Sequence, residues 1–438
     1  MISITGPIAV TAASGEPFRG ANEQPVPGPG LPIPVLVPYG YIEEEYFVSG
    51  MVDGKPYSTM LLVRKPKDPS RFSGLVAVET IHLAGAIPLW GSQKVWLSGG
   101  HGWVAVASQK GALDEHVKKS NPGRYGALDI PDVGDSDTSP MRAMRGGPQD
   151  DVSQAIMTQV GALLKSNSEN GPFQGMTAKY LVMGGASQTG GTTLRYIKNS
   201  HEQARMPDGK PIYDGYLPLM AFSEKAPSAR DAAIIHTVSE GDLMSFAAFG
   251  RPMVFLEDSD APNDRYRHYQ IAGASHVGTR GVADPLEVFG TLGNVMKEGE
   301  KLSQFPQATL FLPTVYNLVD WIMKGTVPPK SRRIEVANGE IVRDKYGNAK
   351  GGVRSPYVDL ATVRYIASAP AADMSNMFRR LIGFEEPIPV DKLRSMYTSR
   401  EVYLKQFNQQ IDRMVAERWL FADDAEKLKS EEAVRPLF

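Results

Sequence analysis

Short, continuous runs of apolar residues alternate along this chain with longer segments in which apolar positions recur at helical spacing. The runs predict buried strands and fall at 75–81, 102–108, 179–184, 213–222, 252–256 and 266–272. The helical segments fall at 86–98, 150–166 and 308–325, and a further one ends near residue 418. Strands that are apolar throughout and alternate with helices are typical of a parallel sheet covered on both faces. The pattern therefore predicts an α/β fold.

The two ends of the chain follow other patterns. Residues 41–51 and 57–64 flank the turn 52–55 (VDGK) and predict a β-hairpin ahead of the parallel strands. Near the C-terminus, 398–401 (TSRE) matches a capping box that opens a helix. The predicted organisation has three parts, an extended Pro- and Gly-rich N-terminal segment (1–37), a core (38–330) and a C-terminal extension packed on the core (331–438).

Composition removes several classes of function. The chain of 438 residues carries 47 Lys and Arg against 49 Asp and Glu, a balance that favours neither nucleic acid nor an anionic membrane surface. It has no cysteine, which excludes disulfides, thiolate catalysis and Cys-ligated metals. No apolar run is long enough to predict a transmembrane helix. No basic residue precedes Arg19, so we expect no signal peptide in this chain, and the compartment stays open.

The stretch 180–191 (YLVMGGASQTGG) joins a predicted strand to a helical segment through glycines that flank Ser187. A serine on such a tight turn is held in a strained, exposed position among small neighbours, which is the geometry of a nucleophile elbow. The usual pattern is G-x-S-x-G, whereas here Thr189 stands at the last glycine position and Gly190 follows it. Ser187 is therefore a candidate nucleophile for acyl transfer.

Two other interpretations of this turn stay open. Similar letters after a strand form dinucleotide-binding turns in short-chain dehydrogenases, and a YxxxK pair exists at Tyr346 and Lys350. That pair lies in a Gly- and Asn-rich turn, and no acidic residue closes a second strand at the spacing that a ribose needs. The remaining interpretation is a purely structural turn.

An activated serine needs a histidine base and a carboxylate that orients the histidine. In serine hydrolases built on a parallel sheet, the order along the chain is serine, acid, histidine, each after a strand. Of the seven histidines, only His276 comes after Ser187, follows a predicted strand directly and lies in a loop of small residues, 272–278 (AGASHVG). His276 is therefore the predicted base.

The acid is expected after the preceding predicted strand, 252–256, which runs into 257–260 (EDSD). Asp260 has the usual offset past the strand end and is the first candidate. Glu257 lies nearer to the strand, and Asp258 is a further alternative. Glu224, after an earlier strand, is a minor candidate. The members of this acidic cluster that do not serve as the acid would form a solvated turn.

The oxyanion of such a reaction needs N–H donors. One is normally the backbone N–H of the residue after the nucleophile, here Gln188, and the other comes from the loop after the third strand. That loop reads 82–86 (HLAGA), so Leu83 and Ala84 are predicted to lie at the oxyanion site. His82 is a candidate substrate contact, with a structural histidine at a strand end as the alternative.

Several blocks along nearly the whole chain resemble one family, the large bacterial and fungal group of alpha/beta hydrolase domain-containing proteins. These blocks are 41–50 (YIEEEYFVSG), 100–106 (GHGWVAV), 124–126 (RYG), 185–190 (GASQTG), 269–276 (YQIAGASH), 343–348 (RDKYGN) and 351–357 (GGVRSPY). The elbow of that family typically reads G-x-S-Q-S-G, so its last glycine stands at the same position as Gly190 in this chain. The chain departs from the family at His82, where an Asn is usual.

The resemblance implies an α/β-hydrolase fold, with a mostly parallel central sheet flanked by helices, an N-terminal extension and a C-terminal helical addition. It also implies a serine hydrolase of the esterase type without a cofactor.

Met244, Phe246 and Phe249 make residues 223–250 a candidate lid or acyl-pocket wall, although ordinary core packing would use the same residues. This favours an uncharged, hydrophobic small-molecule ester.

Other activities stay compatible with these residues. An amidase, a lactonase or an acyltransferase would use the same triad, and a catalytically silent binding protein would keep the same fold. A calcium site at 132–137 (DVGDSD) is a further possibility, with a polar turn as the alternative because the segment lacks a full ligand loop.

Overall fold

The structure is a computed structural model and describes residues 2–11, 14–20, 33–134, 148–248, 250–253, 255–280, 297–369 and 377–437. Phe249 of the candidate pocket wall, residues 135–137 of the candidate calcium site and residues 1, 12–13 and 21–32 of the predicted N-terminal segment lie outside these ranges.

Within the described residues, ten strands form one sheet in the order β1-β2-β3-β5-β4-β6-β7-β8-β10-β9. The strands are β1 (Ser3–Thr5), β2 (Tyr41–Val52), β3 (Lys55–Pro66), β4 (Leu75–Thr80), β5 (Gly102–Val106), β6 (Tyr180–Ala186), β7 (Gly215–Leu219), β8 (Ala233–Ser239), β9 (Ser259–Ala261) and β10 (Asp264–Ile271). Every neighbouring pair from β5 to β10 is parallel, and the predicted hairpin β2–β3 adds an antiparallel edge. The predicted α/β class and the mostly parallel sheet are confirmed.

Helices cover the sheet. Those of six residues or more in the described ranges are α1 (Gln93–Ser98), α2 (Pro148–Lys165), α3 (Gln188–Asn199), α4 (Glu240–Ala248), α5 (Gln307–Lys324), α6 (Val390–Met396), α7 (Arg400–Ala416) and α8 (Ala422–Val434). A 3₁₀ helix of seven residues lies at Ile33–Tyr39, and shorter helical turns lie at Pro69–Arg71, Pro88–Ser92, Lys110–Ala112, Leu113–Val117, Lys118–Ser120, Pro122–Tyr125, Pro356–Asp359 and Met377–Leu381. Strands β4, β5, β7 and β8 are buried at every residue, so both faces of the sheet centre are covered. No described helix has the length and apolar character that a membrane crossing requires.

One strand lies where the sequence predicted a lid or pocket wall. Residues 223–250 contain β8, a buried strand between β7 and β10, whereas the described residues of 252–256 form irregular chain and not a strand. The polar residue His236 interrupts the apolar run of β8, so the hydrophobic pattern does not predict this strand. Its buried ring is satisfied, because Nδ1 lies 3.1 Å from the Tyr266 hydroxyl and Nε2 lies 2.8 Å from the carbonyl oxygen of Ala221.

The C-terminal region packs on the sheet. It contains two small two-stranded sheets, β11 (Val336–Ala337) with β12 (Glu340–Ile341) and β13 (Val363–Ile366) with β14 (Phe384–Pro387). Val353 extends the main sheet beside the carboxyl end of β10, where its N–H donates to the carbonyl of Gln270 at 2.7 Å. The ring of Trp419 lies edge-on to that of Tyr269, with centroids 4.9 Å apart. Helix α7 begins one residue later than the capping-box pattern places it, because Ser399 and not Thr398 is the N-cap.

Candidate active site

Ser187 lies at the sharp turn between β6 and α3 and has a positive φ of 58°, in the region that non-glycine residues rarely adopt. Its N–H donates to the carbonyl of Leu219 in the neighbouring strand β7 at 2.9 Å, which fixes the turn against the sheet. The residues beside it must be small, because a larger side chain would clash with neighbouring atoms. A Cβ on Gly190 would lie 2.3 Å from the Leu219 carbonyl oxygen, and one on Gly185 would lie 2.6 Å from Thr189 Oγ1. The predicted elbow geometry is therefore present.

Thr189, which replaces the last glycine of the usual pattern, stabilises the turn through its hydroxyl group. Its Oγ1 lies 3.0 Å from both the N–H and the carbonyl oxygen of Ala186, the last residue of β6. The hydroxyl accepts from the first and donates to the second. The departure from G-x-S-x-G thus adds two hydrogen bonds across the turn.

His276 follows β10 and reaches the elbow. Its Nε2 lies 2.9 Å from Ser187 Oγ, so the structure brings the predicted nucleophile and the predicted base within hydrogen-bond distance. Gln307, the first residue of α5, holds the histidine loop from the other side. It accepts from the N–H of Ser275 at 3.0 Å and donates to the carbonyl of His276 at 3.4 Å.

Asp242 is the carboxylate that contacts this histidine. Its Oδ1 lies 2.5 Å from His276 Nδ1, and its side chain is fully buried. Its Oδ2 accepts from the N–H of Ser239 at 2.7 Å, while its own N–H donates to Ser239 Oγ at 2.9 Å. This reciprocal capping box at the start of α4 fixes the carboxylate. With Nδ1–H directed at Asp242, Nε2 is left as the acceptor for the Ser187 hydroxyl.

The four carboxylates that the sequence pattern offers as the acid do not contact His276 in the structure. Asp260 lies on β9 opposite Arg265, at the amino end of β10, which is about 20 Å of strand from the carboxyl end. It pairs there with Arg267 and Lys330. The other three candidates also lie apart from the histidine. Asp258 binds Arg333, Glu257 is exposed, and Glu224 pairs with Arg251.

A local signal for the position of Asp242 does exist in the sequence. The segment 239–242 (SEGD) is a capping box directly after the apolar run that forms β8. The pattern does not identify this capping box as following a strand, because His236 interrupts the apolar run and the segment resembles a lid or pocket wall.

Glu240 joins the acid loop to the base loop. Its buried carboxylate accepts from the N–H of Gly273 at 2.8 Å and pairs with Arg343 of the C-terminal region, also at 2.8 Å. The neighbouring Gly241 donates its N–H to the carbonyl of Ala274 at 2.9 Å. Asp242 and His276 are thus held by loops that are bonded to one another.

The candidate oxyanion site lies beside the elbow. Gln188 begins α3, and its backbone N–H has no hydrogen-bond partner among the described residues, as expected at a helix N-terminus. In the loop after β4, the N–H of Leu83 is directed at Gln188 Oε1 at 3.4 Å, and that of Ala84 donates to His82 Nδ1 at 2.9 Å. Both predicted backbone donors of this loop therefore already have partners within the protein.

His82 has an unusual electrostatic setting. Burial, together with the charges that His276 and His116 nearby carry when protonated, lowers its pKa to about 4. His116 itself anchors the loop, since its Nε2 lies 2.9 Å from the Leu83 carbonyl oxygen. At neutral pH, His82 is therefore an uncharged imidazole.

A metal site is not evident in the part of the chain that the structure describes, because no cluster of three or more His, Asp or Glu residues suits an ion there. In the candidate calcium segment, Asp132 Oδ1 accepts from the N–H of Gly134 at 2.8 Å, as in an ordinary polar turn.

Comparison with known proteins identifies the family of this chain. The model of a family described as alpha/beta hydrolase domain matches residues 4–430. No curated protein matches the chain. Among solved structures, a promiscuous CE15 esterase from a marine bacterial metagenome is similar at 9% identity and a TM-score of 0.29, over 55% of this chain and 68% of that one. The esterase Est22 is similar at 12% identity and a TM-score of 0.28, over 46% of this chain and 64% of that one. Because the family model spans nearly the whole chain, including the elbow and the two loops that face it, the chain belongs to the alpha/beta hydrolase family.

Proposed function

We propose that this protein is a serine carboxylesterase in which Ser187 is the nucleophile, His276 the general base and Asp242 the orienting acid. The observation that carries the proposal is the contact of His276 with both partners, 2.9 Å to Ser187 Oγ through Nε2 and 2.5 Å to Asp242 Oδ1 through Nδ1. A strained serine, a histidine and a buried carboxylate in this relation are the requirements for covalent acyl transfer.

In the first half of the reaction, His276 Nε2 takes the proton of the Ser187 hydroxyl while Oγ attacks the ester carbonyl carbon. The resulting imidazolium is stabilised by the Asp242 carboxylate, which stays ionised. The backbone N–H of Gln188 donates to the oxyanion of the tetrahedral intermediate. When the intermediate collapses, the bond to the alcohol oxygen breaks, and His276 gives its proton to the departing alcohol.

In the second half, a water molecule takes the place of the alcohol. His276 removes a proton from this water as it attacks the acyl carbon, and a second tetrahedral intermediate forms at the same oxyanion site. Its collapse breaks the bond to Ser187 Oγ, which recovers its proton from His276, and the carboxylic acid leaves. Each step uses the same two hydrogen bonds of His276.

The substrate is proposed to be an uncharged ester with a hydrophobic acyl or alcohol group. Phe222 follows β7 beside the elbow, and its ring lies 5.4 Å from that of Phe246 on α4. Both rings are half-buried, and Met244 on the same helix is half-buried as well. The guanidinium of Arg251 lies over the Phe222 ring, 5.3 Å from its centroid, and pairs with Glu224 at 3.2 Å, so these two charges neutralise one another. Apolar contact and paired charges favour a neutral group.

The proposal is tested by labelling with a fluorophosphonate and by hydrolysis of p-nitrophenyl esters from acetate to decanoate. We expect one adduct on the intact wild-type protein and none on Ser187→Ala, whose turnover should fall by about 10⁴–10⁶. The matched variant Ser275→Ala removes a hydroxyl from the same site region without removing the nucleophile and should still be labelled. A folded wild type that takes up no label, or Ser187→Ala labelled as fast as the wild type, would refute the proposal.

The same series tests the substrate class. We expect kcat/KM to rise with acyl length for the wild type and to rise less steeply for Phe246→Ala, because part of the apolar wall is removed. Matched amide and lactone substrates show whether esters are the preferred acyl donors. A preference for a charged acyl group would contradict the proposed class.

A further inference from the structure

The tetrahedral intermediate of the proposed esterase needs more than one donor for its oxyanion, and in the described part of the chain the N–H of Gln188 is the one evident backbone donor. The inference below rests on that proposed function. It concerns the second donor, which is expected from the loop after β4.

The backbone of this loop is occupied. The N–H of His82 donates to the Ala86 carbonyl at 2.8 Å, and that of Gly85 donates to the His82 carbonyl at 2.7 Å. The N–H of Leu83 is directed at Gln188 Oε1, and that of Ala84 donates to His82 Nδ1. Four successive N–H groups, from residue 82 to residue 85, therefore already have hydrogen-bond partners within the protein.

The Gln188 side chain keeps this arrangement in place. Its Nε2 donates to Gln109 Oε1 at 2.7 Å, and its Oε1 accepts from Gln109 Nε2 at 3.1 Å. Gln109 Nε2 also donates to the carbonyl of Ile81 at 2.9 Å. The loop and the elbow are thus connected through two amides, and releasing the N–H of Leu83 would break this connection.

The contact from Ala84 fixes the tautomer of His82. Because Nδ1 accepts the N–H of Ala84, an uncharged ring carries its proton on Nε2. The lowered pKa of about 4 keeps the ring uncharged at neutral pH. Among the described residues, Nε2 has no hydrogen-bond partner, and the ring is only partly buried and interacts electrostatically with His276.

We propose that the Nε2–H group of His82 is the second oxyanion donor, so that a side chain supplies what a loop backbone supplies in the usual arrangement. An uncharged donor suits this position. It lowers the energy of the oxyanion without adding a second positive charge beside the imidazolium that forms on His276. His116, through the Leu83 carbonyl, fixes the loop from its outer side.

The test measures kcat, KM and the affinity for a trifluoromethyl ketone, which forms a tetrahedral adduct on the serine. In His82→Ala we expect kcat to fall by about 10²–10³, KM to change by less than about threefold, and the affinity for the ketone to fall with kcat. His82→Asn keeps an N–H donor and should retain more activity than His82→Leu, which fills the space without a donor.

The control variant is His201→Gln. This histidine contacts Tyr216 and Asp231 beyond the far end of α3, about 18 Å of helix from Ser187, so its loss should leave kcat within threefold. Equal kcat in His82→Asn and His82→Leu, or an unchanged affinity of His82→Ala for the ketone, would overturn the inference. If the wild type neither takes up the fluorophosphonate nor hydrolyses esters, the proposed function fails instead.

Discussion

Asp242 Oδ1 lies 2.5 Å from His276 Nδ1, although 34 positions separate the two residues along the chain. They meet because β8 and β10 are adjacent and parallel, in a register that pairs Ser239 with Ile271. The carboxyl ends of parallel neighbours lie at the same edge of a sheet, so the loops that follow them are in contact. The short antiparallel strand β9 lies between the two in sequence but not in space.

This relationship predicts which carboxylate serves the reaction. In Asp242→Asn, kcat should fall by about 10³–10⁴, because an amide no longer favours the Nδ1–H tautomer or stabilises the imidazolium. In the matched variant Asp260→Asn, kcat should stay within about threefold of the wild type. Steady-state hydrolysis of one p-nitrophenyl ester, with melting temperatures measured in parallel, checks both. A large loss in Asp260→Asn alone would contradict the assignment.

The two glycines at the start of α3 should respond to alanine in opposite ways. A Cβ on Gly190 would press on the carbonyl oxygen of Leu219, whereas one on Gly191 would meet only the flexible end of Arg195, at 3.2 Å. We expect Gly190→Ala to lower the unfolding free energy by about 2–3 kcal/mol and to reduce the rate of fluorophosphonate labelling. Gly191→Ala should raise the unfolding free energy by up to about 1 kcal/mol. Equal effects in urea unfolding would show that the elbow tolerates expansion.

The contact between Glu240 and Arg343 predicts that the C-terminal region supports the active site. In Arg343→Met, the buried carboxylate of Glu240 keeps its hydrogen bond from the N–H of Gly273 but loses the positive charge that pairs with it. We therefore expect the unfolding free energy to fall by about 3 kcal/mol. The loop that carries His276 should loosen, which would lower kcat about tenfold and leave KM nearly unchanged. Urea unfolding and steady-state kinetics measure the two effects.

A double variant and a surface control separate the causes. Glu240→Gln combined with Arg343→Met removes the unpaired charge and should be more stable than Arg343→Met alone. Arg413→Met breaks an exposed pair with Glu417 and should cost less than about 1 kcal/mol. If Arg343→Met and Arg413→Met behave alike, the C-terminal contact has no special role.

Two buried histidines predict how stability depends on pH. Burial lowers the pKa values of His236 and His101 to about 4, whereas both should titrate near 6.5 when the chain is unfolded. Between these values the unfolded chain binds more protons. The stability that the neutral rings contribute is therefore complete above pH 6.5 and is lost as the pH falls towards 4. Each ring should contribute about 3 kcal/mol to this loss.

Urea unfolding at a series of pH values from 7.5 to 4.5 checks this prediction. His236→Gln retains a donor for the Ala221 carbonyl but cannot be protonated, so its stability should fall less steeply than that of the wild type over the same range. Parallel curves for the two proteins would show that His236 does not contribute to the acid sensitivity.

Local sequence determined much of this fold. The predicted runs correspond to β4, β5, β6, β7 and β10, because a strand buried on both faces must be apolar at nearly every position. Ser187 was also identifiable, since only a crowded, strained turn requires small residues on both sides of a serine. His276 followed from its place after the last long strand. Each of these signals is contained in a segment of about a dozen residues, and local backbone geometry accounts for it.

The carboxylate that contacts His276 and the state of His82 depended on tertiary structure. The sequence placed Asp260 closer to His276 along the chain, but strand order decides which loop arrives at the histidine, and strand order follows from contacts between distant segments. The buried strand β8 was concealed by His236, whose polar atoms find partners only in the folded sheet. Likewise, the hydrogen bonds that fix the tautomer of His82 and occupy the neighbouring N–H groups form only once the loop is folded against the elbow. The sequence determined most of the buried strands and the places of Ser187 and His276, and the folded sheet decided which carboxylate and which donors lie beside them.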